Sequence, residues 1–112
     1  MKDETKAHLH DVMRAGEAIR RFVAGRTFED YAADDQLRSA VERKFQIMGD
    51  ALTRTRRDDP DALAHIRDWR DIISFRNIMV HGYDAIDDRI VWGIIHEDLG
   101  RLLDDAGSLI RE

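Results

Sequence analysis

The sequence predicts an all-α protein, an antiparallel bundle of four long helices with short helical turns between them. Three observations support this prediction. Apolar residues recur at three- and four-residue steps along four stretches of the chain, as they do in amphipathic helices. No stretch alternates apolar and polar residues in the manner of a half-buried strand. Short connections join the stretches, and short connections favour antiparallel neighbours.

Composition limits the class of protein. The chain has 112 residues, enough for a hydrophobic core, and we interpret residues 1–112 as a single domain. It contains no cysteine, which excludes disulfides and cysteine-based zinc sites. The net charge of −5 argues against broad nucleic-acid binding, so any RNA contact must be local. Residues 1–17 lack the apolar core of a signal peptide, and no apolar run approaches the ~18 residues of a membrane span. We therefore expect a soluble, cytoplasmic protein.

The first long helix is predicted over residues 1–25 and ends at Gly25, a residue type that commonly follows a helix. Its apolar residues share one face, which consists of Leu9, Val12, Met13, Ile19, Phe22 and Val23. Thr27 and Asp30 then have the spacing of a capping box, so a short helix through Tyr31 is predicted after them.

The second long helix is predicted over residues 36–56, with Asp34 or Asp35 as its cap. Its apolar face consists of Leu37, Val41, Phe45, Met48 and Leu52. Gly49 inside this helix costs roughly 1 kcal/mol relative to alanine, which indicates close packing or a close approach of backbone at that point. Asp50 beside it is either the partner of a buried arginine or a plain surface acid.

The densest basic cluster of the chain closes this stretch and consists of Arg54, Arg56 and Arg57. Three acidic residues largely cancel its charge, namely Asp58, Asp59 and Asp61. We therefore interpret the cluster as part of a solvated loop rather than as an RNA-binding patch. Pro60 begins a connector with one short helical turn over residues 61–66, and Asp68 is the predicted cap of the next helix.

The third long helix is predicted over residues 69–83. Apolar residues cover well over half of its circumference, namely Ile72, Ile73, Phe75, Ile78, Met79, Val80 and Tyr83. A surface helix needs an apolar stripe of only about 100°. This helix is therefore either central in the bundle or covered on its second side by a partner subunit. We predict a two-fold dimer, with candidate contacts at Phe75, Ile78 and Met79.

The polar residues of the same helix occupy the narrow remaining face, which consists of Arg70, Ser74, Asn77 and His81. Asn77 and His81 are four residues apart and are therefore neighbours. Arg76 falls within the apolar arc, where an arginine is costly unless it meets an anion or a carboxylate. Asp71 lies in the first turn, where it suits the helix dipole, and it is a candidate to orient an arginine.

The last long helix is predicted to follow the connector 84–87, with Asp87 or Asp88 as its cap. Its apolar face consists of Val91, Ile94, Ile95, Leu99, Leu102, Leu103, Ala106, Leu109 and Ile110. Trp92 and His96 share another face. They form either a partner-contact patch or a core-edge aromatic beside a solvated histidine.

Arginine and histidine together suit RNA cleavage. Histidine can take a proton from a ribose 2′-OH near neutral pH, and arginine can hold the phosphate. On an ideal helix Arg76 and His81 point about 140° apart. They share a phosphate only if Arg76 reaches round, if the helix distorts before Gly82, or if a dimer closes the cleft. The residues taken alone also fit a pairing arginine and a histidine that caps the helix before Gly82.

The stretch from Arg76 to Tyr83 has the form R-x4-H-x-Y and resembles the motif of HEPN-domain ribonucleases. Its tyrosine points to the HepT-type toxins of HEPN/MNT toxin–antitoxin pairs. Nearly the whole chain is similar to this family. Gly49-Asp50-Ala51 resembles its G-E-A signature, with aspartate where glutamate is usual. The segments 28–31, 69–73 and 91–92 also match, whereas 99–102 replaces the family's Pro-x-Leu.

This resemblance implies a HEPN-like bundle with ribonuclease activity. Arg76 and His81 would be catalytic in metal-independent RNA cleavage that needs no cofactor, and Asn77 would support the site. The protein would be a homodimer with its active cleft at the subunit interface. Its partner would be a minimal nucleotidyltransferase antitoxin, which adenylylates Tyr83 and thereby silences the toxin.

Three functions stay open at this point. The first is a toxin that cleaves RNA. The second is a non-catalytic helical dimer module that binds a nucleotidyltransferase partner, and the third is a plain dimeric scaffold. Intact Arg76 and His81 favour the ribonuclease, because a degenerate motif would be expected in a module that only binds.

Overall fold

A computed structural model describes residues 1–82 and 86–112. Its elements in chain order are α1 (Asp3–Val23), α2 (Phe28–Ala33), α3 (Asp35–Asp58), α4 (Pro60–Leu63), α5 (Trp69–His81), α6 (Asp88–Gly93), a π-helical turn (Ile94–Asp98) and α7 (Leu99–Arg111). The described residues form no β-strand, which confirms the predicted all-α class. None of the described helices is both long enough and apolar enough to cross a membrane.

Contacts between helix ends show that α1 and α3 are antiparallel. Lys2 Nζ, at the start of α1, donates a hydrogen bond of 2.6 Å to the carbonyl of Asp58 at the end of α3. The Thr5 hydroxyl donates to the Asp59 carboxylate at 3.3 Å. The two helices therefore run side by side in opposite directions.

The fourth long helix, α7, is antiparallel to α1. Gly107 near its end lies beside Met13, and Gly100 near its start lies beside Arg20. In addition, α3 packs against both α1 and α5. The predicted antiparallel bundle is therefore confirmed, and α3 is the helix that connects the α1 side of the bundle to α5.

The predicted start signals of three helices are confirmed. The Thr27 hydroxyl accepts from the Asp30 N–H at 3.1 Å, and the Asp30 carboxylate accepts from the Thr27 N–H at 3.0 Å. The Asp34 carboxylate caps α3, and the Asp87 carboxylate caps α6. Each cap satisfies backbone N–H groups that have no partner inside the helix.

The cap predicted for α5 is wrong. Asp68 does precede this helix, but its side chain accepts no hydrogen bond from the first turn, and its backbone is left-handed with φ 67°. Its carboxylate instead accepts from Arg101 of α7 at 3.0 and 3.1 Å. A long-range ion pair has thus replaced the local cap, and it fixes the start of α5 against α7.

The loop predicted around the basic cluster is also wrong. Helix α3 continues through Arg54, Arg56 and Arg57 and ends at Asp58. The Asp59 carboxylate caps the next helix by accepting from the Ala62 N–H, and Pro60 follows at the first helical position. Proline suits that position because its missing N–H would have no partner there. The break therefore falls at Asp59, beyond the arginines.

The core lies between the long helices. Its largest fully buried side chains are Tyr31, Phe45, Leu9, Ile19, Met48, Leu52, Leu63, Ile66, Ile72, Leu99, Leu102 and Val12. Trp92 is partly buried and packs on Tyr31 with 5.4 Å between ring centroids. His96 is exposed, and its Nδ1 lies 2.9 Å from the carbonyl oxygen of Trp92. This pair is therefore the core-edge aromatic with a solvated histidine.

Helix α5 is buried on one side only. Phe75 and Met79 belong to the subunit's own core, with 6% and 2% of their surface exposed. Phe75 packs edge-on against Phe45 of α3 at 5.3 Å between ring centroids. These two predicted dimer contacts are therefore wrong, because both side chains are already buried within one subunit. Ile78 stays exposed at 44%, and Val80 is exposed to the same extent.

Candidate active site

Arg76 lies where α5 faces α3, and it is paired with Asp50. Its Nε is 2.7 Å from Oδ1 of Asp50. The Nε–H does not point at that oxygen with hydrogen-bond geometry, so the contact is an ion pair. The side chains keep 27% and 35% of their surface exposed. Of the two roles predicted for Asp50, the structure shows the arginine partner.

Gly49 makes this placement of Arg76 possible. A Cβ added at Gly49 would lie 2.4 Å from Cβ and 2.7 Å from Cγ of Arg76. It would also lie 3.5 Å from the carbonyl oxygen of Ile72. The stem of the arginine therefore fills the space that a side chain would need. The close packing predicted at this glycine is confirmed.

Asn77 holds the other edge of the guanidinium. Nη1 of Arg76 donates to Oδ1 of Asn77 at 3.1 Å. Because the amide oxygen is used in this bond, the amide nitrogen is left to donate to another group. The structure thus brings Arg76 and the predicted supporting residue Asn77 together.

A cleft of about 310 Å³ opens beside these residues, between the end of α3 and the middle of α5. Arg76, Asn77 and Asp50 line it together with Thr53, Arg54 and Arg56. Three arginines and one aspartate make its wall positive, although the whole chain carries a net charge of −5. Such a wall suits an anionic group.

His81 is the last residue of α5 and is exposed. The helix stays α-helical through His81, and the Gly82 N–H donates to the Ile78 carbonyl at 2.7 Å. A residue five positions from Arg76 on a regular helix points about 140° away from it. The helix does not distort before Gly82, and Asp50 and Asn77 hold Arg76 in place. A single subunit therefore does not bring the arginine and the histidine to one point.

Two further predicted site residues have different outcomes. Asp71 is exposed in the first turn of α5, and it forms no ion pair with any residue that the structure describes. The carboxylate that orients Arg76 is that of Asp50. Tyr83 lies outside the described residues.

Three residues that line the cleft, Thr53, Arg54 and Arg56, were not predicted from the sequence as site residues. The spacing contained a signal, because Asp50 and Arg54 are four apart and share one face of a helix. The nearby acids obscure this signal, because in sequence they balance the charge of the arginines. In the structure Arg57 pairs with Asp58, whereas Arg54 and Arg56 line the cleft.

Comparison with known proteins places the chain in a family. Residues 12–108 match the family described as Ribonuclease HepT-like. The chain belongs to the HepT-like ribonuclease family. The matched range includes all of α3 and α5, so the cleft of this HepT-like protein lies within it. Family membership supports ribonuclease activity with RNA as the substrate.

Individual relatives of this HepT-like chain agree with that family. It is 31% identical over 102 residues to "Probable ribonuclease HepT" of Thermococcus cleftensis, covering 91% of this chain and 92% of that protein. It is 26% identical over 101 residues to "Putative RNase MJ1380" of Methanocaldococcus jannaschii, covering 90% and 92%. No solved structure matches the chain significantly.

Proposed function

We propose that this HepT-like chain is a metal-independent endoribonuclease that acts as the toxin of a toxin–antitoxin pair. The observation that carries the proposal is the placement of Arg76, which Asp50 and Asn77 hold at the edge of a positive cleft. A guanidinium held in this way suits recognition of a phosphate. His81, a residue type that can act as a general base, ends the same helix.

In the proposed reaction, His81 takes the proton of a ribose 2′-OH, and the 2′-oxygen attacks the adjacent phosphorus. The bond from phosphorus to the 5′-oxygen breaks, and the leaving oxygen takes up a proton. The products carry a 2′,3′-cyclic phosphate and a 5′-hydroxyl. Arg76 binds a non-bridging phosphate oxygen and stabilises the charge that builds on it. The nucleophile belongs to the substrate, so no metal-bound water is needed.

We further propose that a two-fold dimer completes this site. The exposed residues Ile78 and Val80 lie about 160° apart around α5. They border the polar face that carries Asn77 and His81. A partner subunit that covers both apolar residues therefore encloses His81. In such a dimer, the histidine of one subunit can face the arginine of the other, which removes the difficulty that they diverge within one helix.

The antitoxin in this proposal is a minimal nucleotidyltransferase that adenylylates Tyr83. The support is the complete R-x4-H-x-Y motif, in which Tyr83 follows His81 by two residues. An adenylyl group would add bulk and negative charge and would compete with the RNA phosphate for the anion site. A neighbouring reading frame that encodes a small protein with a nucleotidyltransferase motif would support the pairing.

A cleavage assay tests the catalytic proposal. We expect the wild type to cleave RNA in the presence of EDTA and to leave a 2′,3′-cyclic phosphate or its opened form. His81→Ala and Arg76→Ala should each lose activity by about a hundredfold or more. His10→Ala is the matched control, because His10 is an exposed histidine on α1. Activity that EDTA abolishes, or that survives in a folded His81→Ala dimer, would contradict the mechanism.

Light scattering tests the dimer. At micromolar concentration we expect a dimer for the wild type and a monomer for Ile78→Glu, which places a charge in the proposed contact. Ile90→Glu is the control, since Ile90 is 57% exposed on α6. A wild type that is monomeric yet fully active would overturn the requirement for a dimer.

A further inference from the structure

Arg54 and Arg56 are two arginines with no role in the proposed reaction. Both are exposed, and neither forms an ion pair with a carboxylate in the part of the chain that the structure describes. Their neighbour Arg57 differs, because its Nε donates to Asp58 at 2.7 Å and its side chain lines a different cleft with Lys2 and Asp58. The α3 end thus has two arginines directed to the cleft of Arg76 and one directed away from it.

The side chains that line the cleft indicate which kind of ligand it would bind. The Thr53 hydroxyl donates to the Gly49 carbonyl at 2.8 Å, so its proton is already used. Asp50 offsets the charge of Arg76. Apart from Arg76, which binds the scissile phosphate in the proposed reaction, the side-chain donors left over among the described lining residues are the two guanidinium groups of Arg54 and Arg56 and the amide nitrogen of Asn77. None of the described residues that line the cleft is aromatic, so this part of its wall offers charge rather than a surface for base stacking.

We propose that Arg54 and Arg56 bind a second phosphate of the RNA chain, next to the phosphate at Arg76. This inference rests on the proposed function, because it takes the phosphate at Arg76 to be the scissile one. Guanidinium groups bind phosphate oxygens through paired N–H donors, and neighbouring phosphates of one strand present anions at regular intervals. The cleft therefore favours RNA with at least one phosphate beyond the cleavage point.

Two substrates of different length test this proposal. The cleavage point is first mapped on a longer RNA. A dinucleoside monophosphate and a tetranucleotide that span this point are then compared. We expect the wild type to cleave the tetranucleotide with a higher kcat/KM. Arg54→Ala/Arg56→Ala should lower kcat/KM for the tetranucleotide by about tenfold to a hundredfold. It should lower kcat/KM for the dinucleoside monophosphate much less, because that substrate has no second phosphate.

The matched control is Arg43→Ala/Arg57→Ala, which removes the same charge from exposed positions on the same helix. Its activity on both substrates should equal that of the wild type. An equal loss in the two double variants would show a general effect of charge and would overturn the proposal. Equal cleavage of both substrates by the wild type would overturn it as well.

A binding experiment separates this inference from the proposed function. Fluorescence anisotropy on the His81→Ala background measures RNA affinity without cleavage. Adding Arg54→Ala/Arg56→Ala should weaken binding of the tetranucleotide and make its affinity less dependent on salt, by about 0.7 in the logarithmic slope for each lost phosphate contact. A wild type that binds RNA through these arginines but never cleaves it would overturn the proposed ribonuclease function, while the binding site at Arg54 and Arg56 would stand. RNA affinity that is unchanged by Arg54→Ala/Arg56→Ala would overturn the second phosphate site and leave the proposed function standing.

Discussion

Gly49 and Arg76 meet across the α3–α5 interface at a distance that leaves no room for a side chain on the glycine. A Cβ at Gly49 would lie 2.4 Å from Cβ of Arg76. The neighbouring Asp50 then reaches the guanidinium of the same arginine at 2.7 Å. Two consecutive residues of α3 thus position the side chain of Arg76. Gly49 leaves space for it, and Asp50 attracts its guanidinium by charge.

Gly49→Ala should therefore impair both stability and cleavage. The added methyl group overpacks the interface by about 1–3 kcal/mol, and the gain in helix propensity returns about 1 kcal/mol. We expect a net loss of up to about 2 kcal/mol in urea unfolding, and a cleavage rate at least tenfold lower in the folded protein.

Two other glycines provide controls for this variant. Gly16→Ala should also destabilise the protein, since its Cβ would lie 2.5 Å from Leu103, but it should keep full activity per folded molecule. Gly93→Ala should be neutral or stabilising, because nothing lies within 4 Å of the added atom. Equal activity of Gly49→Ala and Gly16→Ala would show that Gly49 does not position Arg76.

Asp50→Asn should reduce cleavage far more than stability. Both side chains of the Arg76–Asp50 pair are about one third exposed, so their contribution to folding is below about 1 kcal/mol. Loss of the countercharge lets the guanidinium leave its position, and we expect kcat/KM to fall by about tenfold to a hundredfold. Asp105→Asn removes the carboxylate that Arg67 contacts at 3.0 Å, away from the cleft, and should not affect cleavage. Equal activities of these two variants would argue against a positioning role for Asp50.

Glu42 should make stability depend on pH. Burial raises the pKa of its carboxyl group above the ordinary value of 4.5, and the charge of Asp88 raises the pKa further, whereas Arg38 lowers it. Because the folded-state pKa is the higher one, the stabilisation is complete below the ordinary pKa and is lost as the pH rises through the raised value. Glu42→Gln should therefore gain stability relative to the wild type at neutral pH and match it near pH 4.

Thermal unfolding of both proteins across this pH range measures the difference. Glu29→Gln is the control, because Glu29 is exposed on α2, and its difference from the wild type should stay constant. A Glu42→Gln difference that is equally constant would refute the role of the buried carboxyl group. Cleavage at a fixed pH should be unaffected, since Glu42 does not line the cleft.

Tyr83→Phe should separate cleavage from its inhibition. The substitution keeps the ring and removes the oxygen that the proposed antitoxin would modify. We expect this variant to cleave RNA like the wild type, yet to resist inactivation by the nucleotidyltransferase and ATP. Intact mass after incubation should show an adenylyl group on the wild type only. If the mass increase persisted in Tyr83→Phe, the modified residue would lie elsewhere.

Local patterns predicted most of the fold. The apolar spacing gave α1 as residues 1–25 and α3 as 36–56, and the structure has Asp3–Val23 and Asp35–Asp58. The capping box at Thr27 and the cap at Asp34 are also local, because each joins residues three positions apart. The ion pair of Asp68 could not be predicted in this way, since its partner Arg101 is distant in sequence. That ion pair is why Asp68 does not cap α5.

The same distinction applies to the candidate site. The motif identified Arg76, and the neighbouring Asn77 and the G-D-A segment were recognised from sequence. The cleft itself joins the last turns of α3 to α5. The four-residue spacing of Asp50 and Arg54 is a local signal for one of its arginines, but nothing local in the sequence places Arg56 there. The predicted dimer contacts at Phe75 and Met79 are wrong because an apolar pattern does not distinguish a neighbouring helix from a partner subunit.

The π-helical turn at Ile94–Asp98 makes one part of the chain tolerant of deletion. A π-helical turn bonds residue i to i+5, so it contains one residue more than an α-helical turn. Loss of the exposed residue Glu97 can convert it into an ordinary turn, with α7 still facing α1. Loss of the exposed residue Asp104 rotates the rest of α7 by about 100° and turns Ala106 and Leu109 away from the core. Length variation among natural versions of this helix is therefore expected at the π-helical turn and not within α7.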